Sequence, residues 1–569
     1  MTTIAAQLQQ TKAQLTHPGS PFELTDIETN GLNYKAYKNA PNTLPQLVAQ
    51  SRQLGEKTFL VYEGERWSFQ QFFQHVDALG HQLVNEFGIN KGDRVAIAMR
   101  NYPEWMTAFI AIVSVGAIAV PLNSWGKAEE LAYGLQNAGA KLVFCDQQRL
   151  ELLAPALEQQ KAKAILARPK GDQTPANAVL YNSLIETAKD QTLPTVELLP
   201  EDPALILYTS GTTGHPKGAI SNHRSICQGV FNFNYAGACA AMTSPATIEK
   251  MMAAGFEPAA LLCLPLFHVS GCHSVFLFNL HTGRKIVMMH KWDADKALQL
   301  IESERVTTLN GVPTMTRQLM ESPNFAKADT SSLFSMGGGG AASPPQLMEL
   351  IYEKKPDAFA GTGYGLTETN ATGASSTGEA YRYQPRSCGT LSPIVELQIR
   401  GEEGQVLATG DTGEVWLKGI ALLQGYWENP EATAESLQDG WFNTGDIGYL
   451  DDEGFLFLVD RAKDMIIRGG ENIYAAEIEA TVLRCPGVEE VAAFGVPHEL
   501  LGEELAVVVH PKAGAQLAED TIRAHVAESL AKFKVPTYVS FSDVELPKSA
   551  TGKLLKKHLR QAYIERLQA

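Results

Sequence analysis

The run Tyr208-Thr209-Ser210-Gly211-Thr212-Thr213-Gly214-His215-Pro216-Lys217-Gly218 decides how the chain is read. It follows the apolar stretch Ala204-Leu205-Ile206-Leu207, which reads as a buried strand. Four Ser/Thr hydroxyls and three glycines fall within these eleven residues. Glycines let backbone N–H groups come close to an anion, and hydroxyls and a lysine add donors and charge. The run therefore predicts a phosphate-cradling loop. A Walker A loop needs GxxxxGK[ST], and Pro216 stands where its second glycine would be.

On either side of this loop, strand-like runs alternate with helical stretches. Arg94–Met99, Ala117–Leu122 and Lys141–Cys145 precede it; Ala260–Leu264, Lys285–Met289 and the helical Ala294–Glu304 follow. Such alternation predicts α/β layers around parallel sheets. Residues 389–449 change character, with short strands such as Glu414–Lys418 between Gly and Asp turns, and predict an antiparallel, barrel-like section. Beyond the charge cluster Asp460–Asp464, about a hundred residues mix helix and strand, a size suited to a separate small domain. Residues 1–55 read as a helical lead-in and loop.

With 569 residues, more than one domain is expected. The net charge of −16, with no long basic run, argues against nucleic acid as a partner. Seven scattered cysteines without a CxxC pair fit reduced thiols and a cytoplasmic setting. The first twenty residues lack the apolar core of a signal peptide. Trp105–Leu122 carries no charge over eighteen residues, but Gly116 and Pro121 split it into a helix (Glu104–Val115) and a strand, so no membrane span is expected. His268, His273, Cys263 and Cys272 do not have zinc-ligand spacing.

Four further motifs bear on chemistry. Gly361-Thr362-Gly363-Tyr364-Gly365-Leu366-Thr367-Glu368 offers an aromatic face, a hydroxyl and a carboxylate. Ser335–Ala342 holds four glycines and two alanines, against whose backbone a planar group could lie. Asn443-Thr444-Gly445-Asp446 and Asp460-Arg461 add a carboxylate after a Gly turn and an acid–base pair. Pro547–Lys553 ends on a lysine ahead of a basic helix.

In this order, these motifs resemble the signatures of the adenylate-forming superfamily, in its acyl-CoA synthetase (carboxylic acid–CoA ligase) branch. The resemblance implies an N-terminal domain (1–462) of two α/β subdomains and a β-barrel-like one, with a small mobile α+β lid (463–569). It implies that ATP with Mg²⁺ activates a carboxylic acid to an acyl-adenylate, which coenzyme A then intercepts. Nucleotide contacts would come from Thr209, Ser210, Gly211, Thr212, Thr213, Gly214 and Lys217. Gly339, Gly340 and Ala341 would meet adenine and the substrate carbonyl, beside Gly363, Tyr364, Gly365 and Thr367. Glu368 would hold the metal, Asp446 and Arg461 the ribose, and Lys553 the reacting phosphate. Thr212, Glu368, His268 and Lys553 form the implied catalytic set. Lys463 matches the hinge. Arg468, Gly469, Gly470 and Glu471 match the strand and turn of the CoA tunnel; Ala475 stands where the family often has Pro. The acyl pocket would use His268, Val269, Gly271, Gly311, Val312, Gly337 and Gly338, whose glycines suggest room. His268, where amino-acid-activating members usually carry Asp, favours a simple acid. A medium-chain fatty acid is the first expectation and a benzoate- or cinnamate-type acid the second. An adenylate-only enzyme with another acceptor and a non-enzymatic nucleotide-binding protein are the alternatives. The reading leaves room for a homodimer.

Overall fold

The computed structural model describes residues 3–171, 178–209, 216–339, 345–469, 471–549 and 553–568. The chain forms two compact units: Met1–Glu396 with Leu417–Phe442, and Leu397–Trp416 with Asn443–Ala569.

The first unit is built on two sheets. In one, six parallel strands run side by side in the order Pro203–Thr209, Ile118–Pro121, Arg94–Ala98, Leu142–Asp146, Lys163–Ala167, Ala178–Leu180. Lys217–Asn222 extends it as an antiparallel neighbour of Pro203–Thr209. In the other, Thr58–Tyr62, Lys285–Met288, Ala259–Leu262, Thr308–Asn310, Ser335–Gly339 and Phe359–Tyr364 are parallel neighbours in that order. Ala374–Thr377 and Gly389–Leu391 continue it antiparallel.

The largest core draws side chains from both sheets, including Ile97, Leu205, Leu262 and Ile286. At its centre, helix Pro103–Ser114 buries all twelve of its residues. A helix apolar on every side belongs in a core or a bilayer. Here it is in a core, and Ile118–Pro121 follows as a central strand, which accounts for the uncharged stretch from Trp105 to Leu122. No described helix is long and apolar enough to cross a membrane.

The lead-in is more ordered than its composition suggests. Helix Ile4–Thr16 is N-capped by Thr3, and Leu24–Thr29 pairs with Leu32–Tyr37 through an Asn30-Gly31 turn. Both turn residues have positive φ, 52° and 74°, as a type I′ hairpin turn requires.

In the second unit, Val488–His498 and Gly502–Pro511 form a long antiparallel pair, with Tyr538–Phe541 parallel to the latter. Alternate residues face opposite sides. Val491, Ala493, Leu505 and Val507 pack with helices Ala475–Val482 and Glu519–Ala527, while Ala492, Phe494, Ala506 and Val508 pack with helix Lys556–Gln568. The antiparallel strands expected in 389–449 include Gly413–Gly419 and Trp441–Leu450.

All seven cysteines are free and none is exposed. Burial pushes the Cys145, Cys227 and Cys272 thiols well above the usual range.

Candidate active site

The strands on either side of the Ser/Thr/Gly run, Pro203–Thr209 and Lys217–Asn222, pair antiparallel. Thr209 lies opposite Lys217 and Tyr208 opposite Gly218. Ser210, Gly211, Thr212, Thr213 and Gly214 lie outside the described residues. The base of the hairpin is tied down, because the Tyr208 hydroxyl donates to Asn137 Oδ1 at 2.7 Å and Trp427 N–H to the Gly218 carbonyl at 2.7 Å.

Lys217 leads across to the second signature. Its ammonium sits 5.3 Å from the centre of the Tyr426 ring, and the Tyr426 hydroxyl donates to Glu368 Oε1 at 3.0 Å. Burial, reinforced by the carboxylate, pushes the Tyr426 phenol far above its ordinary value, so it stays a neutral donor. One oxygen of Glu368 is thereby oriented. Its backbone is fixed as well, since Leu423 N–H donates to the Glu368 carbonyl at 2.7 Å.

Thr367–Thr369 is a single 3-10 turn, and the Thr369 hydroxyl accepts from Leu366 N–H at 3.0 Å. Upstream, Tyr364 ends the strand Phe359–Tyr364. That strand lies in parallel register with the glycine run: Gly337 beside Gly361, Gly338 beside Thr362 and Gly339 beside Gly363. Two glycine-rich signatures are thus one pair of neighbouring strands. Gly340 and Ala341 lie outside the described residues.

These glycines serve close backbone approach rather than room. A Cβ on Gly338 would fall on the Gly311 carbonyl oxygen, one on Gly271 on the Pro265 carbonyl oxygen, and one on Gly337 would lie 2.8 Å from Gly361 O. Gly311 is different, its nearest neighbours being Met315 Cβ at 3.4 Å and Cys263 Sγ at 3.8 Å. Gly311, Gly337 and Gly338 line a cavity of about 20 Å³ with Thr316, Leu347 and Tyr381. Of the other residues expected in an acyl pocket, Val269 and Val312 are buried and His268 is half-buried, and none of them, nor Gly271, lines this cavity.

His268 caps the short turn Val269–Gly271, which runs into a π-helix, Cys272–Leu277. His273 in that π-helix donates from Nε2 to Asn370 at 2.9 Å, and no cluster of three or more metal-ligating side chains occurs among the described residues.

In the second unit, Asp446 and Arg461 face each other across an antiparallel ladder, with Arg461 Nε 2.6 Å from Asp446 Oδ1. Exposed Lys463 sits on the 3-10 turn Ala462–Asp464. Gly469 begins the tip of the hairpin Ile466–Arg468/Glu471–Ile473, with φ of 60°; Gly470 is outside the described residues. Arg468 is held in a fork by Glu504, Nη2 to Oε2 at 2.9 Å, and Glu471 is exposed. Lys553 is exposed, and its carbonyl accepts from Ser549 N–H at 2.7 Å. Lys556 is half-buried against Glu479 at 2.8 Å, which separates it in role from Lys553.

Residues 47–427 match the family model described as AMP-binding enzyme, and residues 477–553 the one described as AMP-binding enzyme C-terminal domain. The chain belongs to the AMP-binding enzymes. It is 36% identical over 481 residues to the long-chain-fatty-acid–CoA ligase FadD13 of Mycobacterium tuberculosis, covering 84% of this chain and 90% of that one. Identity to a feruloyl-CoA synthase of Amycolatopsis sp is 33% over 517 residues, 91% and 98% of the two chains. The crystal structure of ATP-bound MatB from Rhodopseudomonas palustris superposes with a TM-score of 0.81 at 29% identity, covering 92% and 99%. Within the AMP-binding enzymes the chain lies in the adenylate-forming acyl-CoA synthetase branch, whose members are AMP-forming acid–thiol ligases.

For an AMP-binding enzyme, two residues at this site carry weight that the motifs do not suggest. Tyr426 follows the strand-like end of a turn-rich region, and its only signal is the aromatic pair Tyr426-Trp427 after Gly425. Asn370 simply follows the signature, and nothing local marks it.

Proposed function

We propose that this AMP-binding enzyme joins a carboxylic acid with an apolar tail to coenzyme A in two steps. An acid oxygen attacks the α-phosphorus of ATP, the bond to the β-phosphate breaks, and pyrophosphate leaves. The CoA sulfur then attacks the acyl carbon, giving the thioester and AMP. The observation that supports this most is the Lys217–Tyr426–Glu368 chain, in which one tyrosine meets a cation of the loop strand with its ring and orients a carboxylate with its hydroxyl.

Glu368 would hold the magnesium ion that accompanies ATP. A single carboxylate suits an ion that takes one or two carboxylates along with phosphate oxygens and water, and Glu368 has that form. Tyr364 is assigned to adenine, Thr367 to the α-phosphate, and the backbone of Gly339 and Gly363 to the nucleotide. Asp446 and Arg461 are assigned to the ribose, Lys553 to charge stabilisation on the α-phosphate, and the hairpin at Arg468–Glu471 to coenzyme A. We place the moving boundary at Lys463, dividing 1–462 from 463–569, and the enzyme in the cytoplasm, in keeping with its free cysteines.

For the acid, a medium-chain fatty acid is the first choice. The buried apolar side chains Val269 and Val312, with His268 in place of an acidic partner for an amine, support it. An aryl acid is the second, favoured by the likeness to a feruloyl-CoA synthase. The test is pyrophosphate release with ATP, Mg²⁺ and a panel of acids, with and without CoA. Turnover that needs both acid and CoA supports the ligase and names the acid; turnover indifferent to CoA would replace the acceptor, and none with any acid would sink the reading.

A further inference from the structure

Asn370 lies two residues beyond Glu368 and is almost fully buried. It caps the Thr367–Thr369 turn in the left-handed region, with φ of 49°. Both ends of its side-chain amide are hydrogen-bonded. Nδ2 donates to the Ala421 carbonyl at 2.9 Å and to Ser221 Oγ at 3.0 Å, with Ser225 Oγ at 3.4 Å. A carbonyl can only accept, so Ala421 fixes which end of the amide is nitrogen. Oδ1 must then face His273 Nε2 at 2.9 Å, which makes that nitrogen the protonated one.

Each partner belongs to a different part of the site. Ser221 is in Lys217–Asn222, the strand that leaves the phosphate hairpin, and Ser225 is in the first turn of the helix that follows. Ala421 precedes Leu423, whose N–H holds the Glu368 carbonyl. His273 lies five residues beyond His268, in the π-helix of the acid-side segment. Helix His223–Thr243 also presses on this point, since a Cβ on Gly229 would lie 2.8 Å from the Asn370 carbonyl. Inserted π turns are rare in helices and often mark functional sites. This one turns His273 toward Asn370.

We propose that Asn370 is the positioning residue of the adenylation centre: through its amide it fixes the Glu368 turn to the phosphate-hairpin strand and, through His273, to the acid-side segment. Asn370 touches no substrate itself. This inference rests on the adenylation reading above.

The test compares Asn370→Asp, His273→Leu and His273→Gln with the parent enzyme, by acid-dependent pyrophosphate release and by amide hydrogen exchange. A carboxylate at 370 has no N–H for Ala421 O, and leucine at 273 has none for Oδ1, whereas glutamine keeps one at similar reach. Expected are a fall in kcat of at least tenfold for Asn370→Asp and His273→Leu, with KM for ATP within threefold. Exchange of amides 364–371 should quicken in both while that of strand Arg94–Ala98 stays as in the parent, and His273→Gln should restore both readouts. The proposal is overturned if kcat in the folded variants stays within threefold of the parent. It is equally overturned if exchange quickens evenly through the whole unit, the mark of general destabilisation. If Asn370→Asp does not fold, His273→Leu decides by the same two readouts. Should the parent release no pyrophosphate with any acid, the proposed function fails, while the exchange pattern still decides on Asn370.

Discussion

Asp446 and Arg461 are directly opposed on neighbouring antiparallel strands and joined at 2.6 Å. The carboxylate is buried and the guanidinium about one-third exposed, so the arginine holds the carboxylate in place. A ribose would meet an acceptor already aligned. Asp446→Asn, which keeps the shape and removes the charge, should weaken AMP binding about tenfold or more, as measured by calorimetry. Because the two side chains touch, a double-mutant cycle with Arg461→Gln should show coupling of about 1 kcal/mol or more. Independent, additive losses would separate the two roles.

Lys553 should matter to one half-reaction only. Lys553→Ala is expected to slow acyl-adenylate formation about a hundredfold or more, yet leave thioester formation from supplied acyl-adenylate within about threefold. Parallel loss of both half-reactions would contradict a lid that alternates.

Lys463→Pro should do the reverse. Proline restricts φ and would stiffen the 3-10 turn at the assigned hinge. Adenylate should still form and pyrophosphate should still be released in a first turnover, while transfer to CoA stalls. Unchanged transfer would move the hinge elsewhere.

Acid should unfold the first unit through its buried histidines. Burial lowers His223 and His273 to about 4. His223 Nδ1 accepts from Leu44 N–H at 3.2 Å, and so holds the neutral form. In the unfolded chain the same side chains take up protons near pH 6.5. Between those values the unfolded state binds more protons, so the stability these groups confer is complete above about pH 6.5 and drains away toward pH 4. Each contributes on the order of 3 kcal/mol at most. The urea midpoint should fall between pH 7 and pH 5, and the fall should be shallower in His273→Gln.

Two glycines in the same cavity wall should answer differently to a methyl group. Gly338→Ala forces apart the strands Thr308–Asn310 and Ser335–Gly339, because its Cβ meets backbone, and should cost several degrees of melting temperature. Gly311→Ala meets only Met315 and Cys263 at ordinary contact distance. It should fold normally and shift the acid preference toward shorter chains, read from kcat/KM across a series of fatty acids.

Local chemistry explains what could be read from the chain alone. The helix and strand within Trp105–Leu122 were legible because Gly116 and Pro121 punctuate the run, and helix Ala294–Glu304 because its apolar spacing is regular and Asp293 caps it. The hairpin at Asn30-Gly31 carried a strong turn signal that its flanks, with Asp26, Glu28, Asn33 and Lys35 among the apolar residues, disguised. The glycines near 337 could mean either space or contact, and only the neighbouring strand, at Gly361–Gly363, tells which. Asn370 and Tyr426 lay beyond reach for a different reason. Their partners are distant in sequence: His273 is 97 residues from Asn370, and Glu368 is 58 from Tyr426.

The burial of the native thiols has a practical use. With Cys145, Cys227, Cys272 and Cys485 buried, and Cys239, Cys263 and Cys388 only partly accessible, the unmodified protein offers maleimide reagents few quick targets. Burial further holds the Cys239 thiol up at about 11 and that of Cys263 at about 12, so little thiolate is present at neutral pH. A single cysteine placed on the exposed surface beside Lys463 would therefore take up a fluorophore selectively. Such a label would let the turn at Ala462–Asp464 be followed in real time as acid, nucleotide and thiol are added, without first stripping the enzyme of its own cysteines.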